Sequence, residues 1–147
     1  MKFDFIESYK NEIILIGRIL SMLLWVLYGF IKLTHLSATA SAMESFGMPL
    51  PWVSAVVAVV MEFVVGLAIL VGVCSRPLIF LLALYALATA LIGHHFWTLT
   101  GQAKADQMEE FFKNLSLMGG LLILCTTSPA RYSLRRAGVG GEERTLR

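Results

Sequence analysis

From Val56 to Gly72 the chain is apolar except for one acid, Glu62. Nothing else in the sequence restricts the fold as strongly. An apolar run of this length has lipid for its solvent, and in lipid every backbone polar group must be satisfied within the segment, so the run is helical. Glu62 lies ten residues in from Trp52, about 15 Å deep at a rise of 1.5 Å per residue. A carboxylate at that depth is costly unless it is paired, protonated or wetted, and an intramembrane acid is a functional-site hypothesis by default.

Three more runs have the same character. About 20 residues are needed to cross the hydrocarbon. Glu12–Leu33 supplies a first span with Arg18 and Lys32 embedded in it. Trp52–Ser75 is the second and carries Glu62. Leu78–Trp97 is the third and ends in Gly93-His94-His95-Phe96-Trp97. Met108–Thr127 is the fourth, opened by Glu109 and Glu110, with Lys113 and Asn114 just inside. Acids in a first turn suit the positive end of the helix dipole. Composition supports lipid as the solvent: 15% of the 147 residues are charged and 57% are hydrophobic, against about 25% charged in a soluble domain. The expected fold class is all-α, an integral membrane four-helix bundle with spans at about 12–33, 52–75, 78–97 and 108–127.

The connections fit this plan. Met1–Asn11 is read as a surface segment with Phe3, Phe5 and Tyr9 at headgroup level. In Thr34–Pro51, Leu36, Ala40, Met43 and Phe46 recur at helical spacing between Ser37, Ser41, Glu44 and Ser45. That pattern predicts a short amphipathic helix in the membrane interface, stopped by Gly47-Met-Pro-Leu-Pro51. Ser75-Arg76-Pro77 is expected to be a tight turn, Thr98–Gln107 a polar loop, and 129–147 a basic tail. Ala38-Thr-Ala40 and Ala40-Ser-Ala42 look like signal-peptidase sites. The preceding run is too long for a signal peptide and its flank carries Asp4, Glu7 and Glu12, so an uncleaved signal-anchor helix is expected. Lys2, Lys10, Arg76, Arg131, Arg135 and Arg136 share one face, which positive-inside places in the cytoplasm with both termini. The His94-His95 end then faces the periplasm across a bacterial inner membrane.

Several functions are disfavoured. A net charge of +2 gives no basic field for nucleic acid. Cys74 and Cys125 form no Cys-x-x-Cys motif; both fall near cytoplasmic helix ends, where thiols stay reduced, and are read as structural. Adjacent helical histidines diverge by about 100°, so His94 and His95 are poor co-ligands, and no metal site is expected. No phosphate loop, haem or flavin signature is present. Without a soluble catalytic domain, any enzymatic part would be that of a membrane subunit.

The polar residues converge by depth. Lys32, His94, His95, Lys113 and Asn114 lie near the outer leaflet above Glu62. Arg18 approaches from the inner side, about 9 Å in from Glu12 by the same rise. Arg18, Lys32 and Lys113 are competing partners for Glu62, and sequence does not choose among them. Snorkelling accounts for Arg18 and Lys32 without any function. Two readings stay open. These groups form an ion-pair cluster that orders the helices, or they line an outward-facing cavity for a small molecule, a quinone head or protons.

A set of short motifs then suggests a family. They are Gly17-Arg18; Tyr28-Gly29-Phe30-Ile31-Lys32; Phe46-Gly47-Met-Pro-Leu-Pro51; Met61-Glu62 with Gly66; Ser75-Arg76-Pro77; Gly93-His94-His95-Phe96-Trp97; Phe112-Lys113-Asn114; Gly119-Gly120; and Ser128-Pro129. In their order and spacing they resemble the DoxX family of small four-helix bacterial membrane proteins, over roughly residues 18–133. The resemblance implies an inner-membrane bundle. Some members are subunits of a quinone-linked sulfur-oxidising enzyme, so it also suggests a redox or quinone context, with other membrane or peripheral redox subunits as partners; a homo-oligomer of the chain is a separate expectation. By resemblance, Arg18, Lys32, Glu62, His95, Lys113 and Asn114 are the positions of interest. A solute or proton transport module and a non-catalytic scaffold are the alternatives.

Overall fold

The computed structural model describes residues 4–73 and 76–127, and among these all regular structure is helical. A short helix α1 (Asp4–Ser8) leads into the long α2 (Lys10–Thr34). His35 alone separates α2 from α3 (Leu36–Ser45). The chain then reverses at Gly47, whose φ of 75° suits glycine. Gly47 N–H bonds to the Glu44 carbonyl and Met48 N–H to the Met43 carbonyl. That pair is a Schellman closure, which satisfies carbonyls left open at the helix end. Pro51 occupies the first turn of α4 (Pro51–Val59), where its missing N–H costs nothing.

The second span is not a uniform α-helix. Between α4 and α5 (Gly66–Leu70) lies a π-helical turn, Val60–Val65, with Glu62 inside it. Such turns are rare and recur at functional sites. The following helix, α6 (Arg76–Gly93), has Pro77 in its first turn. A 3-10 turn (Phe96–Thr98) then leads to α7 (Gly101–Thr127).

Lys10–Thr34, Pro51–Leu70 and Arg76–Thr98 are long and apolar enough to cross a membrane. Their outward faces agree with that: Leu20 is 64% exposed and Val64 54%, which an aqueous surface would disfavour and lipid does not. Helix α7 is also long enough, about 40 Å at 1.5 Å per residue. Its first half carries Lys104, Asp106, Glu109, Glu110 and Lys113, and its apolar stretch is confined to the second half.

The core joins Met22 and Trp25 of α2, Ile69 of α5, Ile79, Leu82, Ala83 and Ala86 of α6, and Leu121 of α7. The small side chains of Ala83, Ala86 and Ala90 let α7 lie close along α6. Helix α2 packs chiefly on the π-helical turn and α5, while α3 packs on α4.

Three local expectations need correction. The third helix ends at Gly93, so His94 and His95 leave it rather than diverging along it. Here the chain is bent by an aromatic knot in which Phe96 meets Trp97 and Phe111 edge-on at 5.4 Å. Thr98–Gln107 is not a loop, because α7 already starts at Gly101. Good helix formers at Ala103, Lys104 and Ala105 favour this, as does the bond from Gln102 Nε2 to Asp106 Oδ1 at 2.8 Å one turn on. The second helix stops at Leu70, short of Ser75. The amphipathic pattern of Leu36–Ser45 is matched by a helix whose Ala40 is buried and whose Ser37, Ser41, Glu44 and Ser45 are exposed. Cys74, Ser75, the Ser128-Pro129 motif and the basic tail lie outside the described residues.

Candidate functional site

Glu62 is 5% exposed. Its Oε1 accepts hydrogen bonds from Lys32 Nζ and from the Tyr85 hydroxyl, the latter at 2.8 Å. An opposite charge and a phenolic donor together offset the desolvation of the carboxylate. Arg18 is buried in the same helix as Lys32, almost four turns toward the other end at about 3.6 residues per turn. The structure therefore selects Lys32 among the three cations that compete on sequence. Lys113 pairs with Glu110 instead, one helical turn away on its own helix.

Two features bring Lys32 and Glu62 together. The π-helical turn carries Glu62 toward α2. One turn before Lys32 stands Gly29, so close to that turn that an added Cβ would meet Phe63 N at 2.4 Å and Glu62 C at 2.7 Å. The helices touch backbone to backbone there. Tyr85 is held from the other side by Trp25, the ring centroids 6.0 Å apart.

Above this cluster is a cavity of about 780 Å³, within the range of small-molecule sites. Its floor includes Trp25, Lys32, Glu62 and Tyr85, and its walls are largely apolar, among them Leu24, Tyr28, Val57 and Leu117. Helix α3 contributes Thr39 and Met43. Thr39 is buried, and its hydroxyl bonds to the His35 carbonyl at 3.1 Å.

A second polar group lines the α6–α7 side. Thr89 Oγ1 donates to Asn114 Oδ1 at 3.4 Å, and Asn114 Nδ2 donates to the Glu110 carbonyl at 2.9 Å. His94 Nδ1 and Gln107 Oε1 are 2.9 Å apart. Lys32, Glu62, His94, Lys113 and Asn114 thus border one cavity, while Arg18 and His95 are not among its lining residues. His95 turns back onto the Ile92 carbonyl at 3.1 Å and against the Trp97 ring.

Sequence reasoning missed Tyr85, Thr89, His35 and Glu110 as members of this site. The first two had a signal. They are the only hydroxyl residues in Leu78–Trp97, and a spacing of four puts them on one helix face.

The DoxX family model matches residues 13–95, a range that holds the Lys32–Glu62–Tyr85 cluster. The chain belongs to the DoxX family. Inner membrane protein YphA of Escherichia coli (strain K12) is 40% identical over 134 residues, covering 91% of this chain and 95% of that protein. Inner membrane protein YqjF of the same organism is 35% identical over 126 residues, covering 84% of this chain and 89% of its own length. No solved structure gives a match of comparable significance. In this DoxX chain the family match ends at His95, before α7 begins.

Proposed function

We propose that this DoxX-family protein is a four-span inner-membrane binding subunit. Its outward-facing cavity takes a small molecule whose head docks on Lys32, Glu62 and Tyr85. Helix α7 serves as the fourth span: Leu122 and Ile123 are exposed in its apolar second half, and lipid is the solvent that accommodates them. Both termini lie in the cytoplasm, a placement supported by Lys10 and Arg76 on one face. The α3 helix lies in the outer interface, its serines to water.

The observation that carries the binding reading is the joining of a charged, hydrogen-bonded floor to a cavity with apolar walls. A cluster whose sole task was to order the bundle would need no cavity above it. The family resemblance favours a quinone as the ligand and a redox assembly as the setting.

The test is to purify wild type and Tyr85→Phe at matched folding and identify the lipophilic molecules each retains. A bound or competable quinone lost in Tyr85→Phe supports the reading. Equal retention by both proteins, or none by wild type, sinks it and leaves the scaffold role.

A further inference from the structure

We infer that the occupant of this cavity is a neutral, lipid-dissolved amphiphile with a hydroxyl-bearing head, and that it arrives sideways from the hydrocarbon rather than from water. This rests on the cavity being a binding site. It adds the class of ligand, which of the quinone couple admits the reduced quinol with its hydroxyls and not the oxidised form with carbonyls alone, and its route.

The route follows from which lining residues stay exposed. Tyr28 and Ile31 on α2 are 56% and 52% exposed, and Val53 and Val57 on α4 are 56% and 48% exposed. All four border the cavity and belong to helices apolar and long enough to cross a membrane. Val57 is five residues before Glu62, about 7.5 Å along the axis. The cavity has an exposed polar rim at His35 and Lys113, but on the α2–α4 side its exposed lining is apolar and runs from the interface beside Trp52 down to Val57 at hydrocarbon depth. A ligand arriving there must already be dissolved in lipid.

Neutrality follows from the charge pattern. The lining cations Lys32 and Lys113 pair with the lining anions Glu62 and Glu110. The cavity offers no surplus charge to an ion, and a charged ligand would add a further desolvation cost.

The head group follows from the valences left at the floor. Among the described residues both hydrogen bonds to the Glu62 carboxylate land on Oε1, which leaves Oε2 as an acceptor. The Lys32 ammonium has three N–H groups and uses one of them on Glu62. A group that donates to a carboxylate and accepts from an ammonium satisfies both, and a hydroxyl is the smallest neutral group that does so. The remainder of the ligand lies against Leu24, Val57 and Leu117.

Trp25 allows a test without the natural ligand, because it lines the cavity and is 4% exposed. Trp52 and Trp97 are replaced by phenylalanine in the full chain, which leaves Trp25 as the sole tryptophan, and the protein is reconstituted into phosphatidylcholine vesicles. Three quenchers are compared: a brominated long-chain alcohol in the bilayer, a phosphatidylcholine brominated along its acyl chain, and iodide in the buffer. The expected result is a steeper quenching slope for the alcohol than for the brominated phospholipid at equal bromine content, little quenching by iodide, and a reduced alcohol slope in Val57→Phe. Folding of each variant is matched by its thermal unfolding in detergent.

Iodide quenching of Trp25 comparable to that of the exposed Trp52, read in a chain that keeps Trp52 as its sole tryptophan, overturns the lateral route. Equal slopes for alcohol and phospholipid overturn the hydroxyl head and make a lipid tail the occupant. An alcohol slope untouched by Val57→Phe overturns the placing of the mouth. Each of these outcomes leaves co-purification of some ligand intact, so failure here is separable from failure of the binding reading.

Discussion

Gly29→Ala tests the geometry on which the site depends. The added methyl would lie 2.4 Å from Phe63 N, 2.7 Å from Glu62 C and 2.8 Å from Phe63 Cα. All three are backbone atoms, so no flexible side chain can swing away. Restoring an ordinary contact near 3.4 Å requires α2 and the π-helical turn to part by about 1 Å. Overpacking of this kind costs about 1–3 kcal/mol. Alanine's better helix propensity returns up to about 1 kcal/mol. Because the obstacle is backbone, the clash sits at the upper end, and a net loss of about 2 kcal/mol is expected. Gly17→Ala is the internal control, since nothing lies within 4 Å of its Cβ position; it should be neutral or mildly stabilising. The assay is reversible unfolding in mixed micelles, followed by helical circular dichroism, with wild type, Gly17→Ala and Gly29→Ala run together. Gly29→Ala as stable as Gly17→Ala would show that the helices are not in backbone contact, and the account of how Lys32 reaches Glu62 would fall with it.

Further expectations follow from the same cluster. Lys32→Met removes the cation from a buried carboxylate and should cost about 3–5 kcal/mol, most of it recovered in Lys32→Met/Glu62→Gln; a double mutant no better than the single one would argue against direct pairing. Tyr85→Phe deletes one hydrogen bond to a charged group and should cost about 1.5–3 kcal/mol in the same unfolding assay, whereas a neutral result would separate Tyr85 from Glu62. Glu110→Gln breaks an ion pair whose two side chains are each more than 40% exposed, so its effect should stay below about 1 kcal/mol. Thr100→Cys, with Cys74 and Cys125 replaced by serine, should react with a membrane-impermeant maleimide in intact spheroplasts; reaction only after lysis would invert the proposed orientation.

Much of the fold was legible because lipid imposes a strong pattern. Val56–Gly72 and Glu12–Leu33 admit few conformations other than helices, and their apolar runs announce their length. Glu62 was legible for the complementary reason, since burial makes a lone acid conspicuous. What periodicity did not disclose was the choice among Arg18, Lys32 and Lys113, because that choice depends on how closely two backbones approach at Gly29. The helical start at Gly101 was hidden by polarity: Gln102, Lys104 and Asp106 read as a loop when only hydropathy is weighed, although the same residues are good or tolerable in a helix. Tyr85 was hidden by its ring, which passes for core until its hydroxyl is given a partner. The site is divided along the same line. The sequence pointed to Lys32, Glu62, His94, Lys113 and Asn114, whereas Tyr85, Thr89, His35 and Glu110 emerged only with packing.

The π-helical turn has a consequence for how this gene could vary. An i→i+5 turn takes up one residue more than an α-turn, so everything before it is advanced around the axis relative to everything after it. Removing one residue from Val60–Val65 need not break the helix, which can close into an ordinary α-helix. Such a deletion would leave α5 on the core through Ile69 and swing α4, with Val53 and Val57, away from the cavity as a block. Substitutions at these positions adjust the site by degrees. A single-codon deletion would re-index one entire wall of it, which makes this turn a place where length, more than residue identity, sets what the cavity can hold.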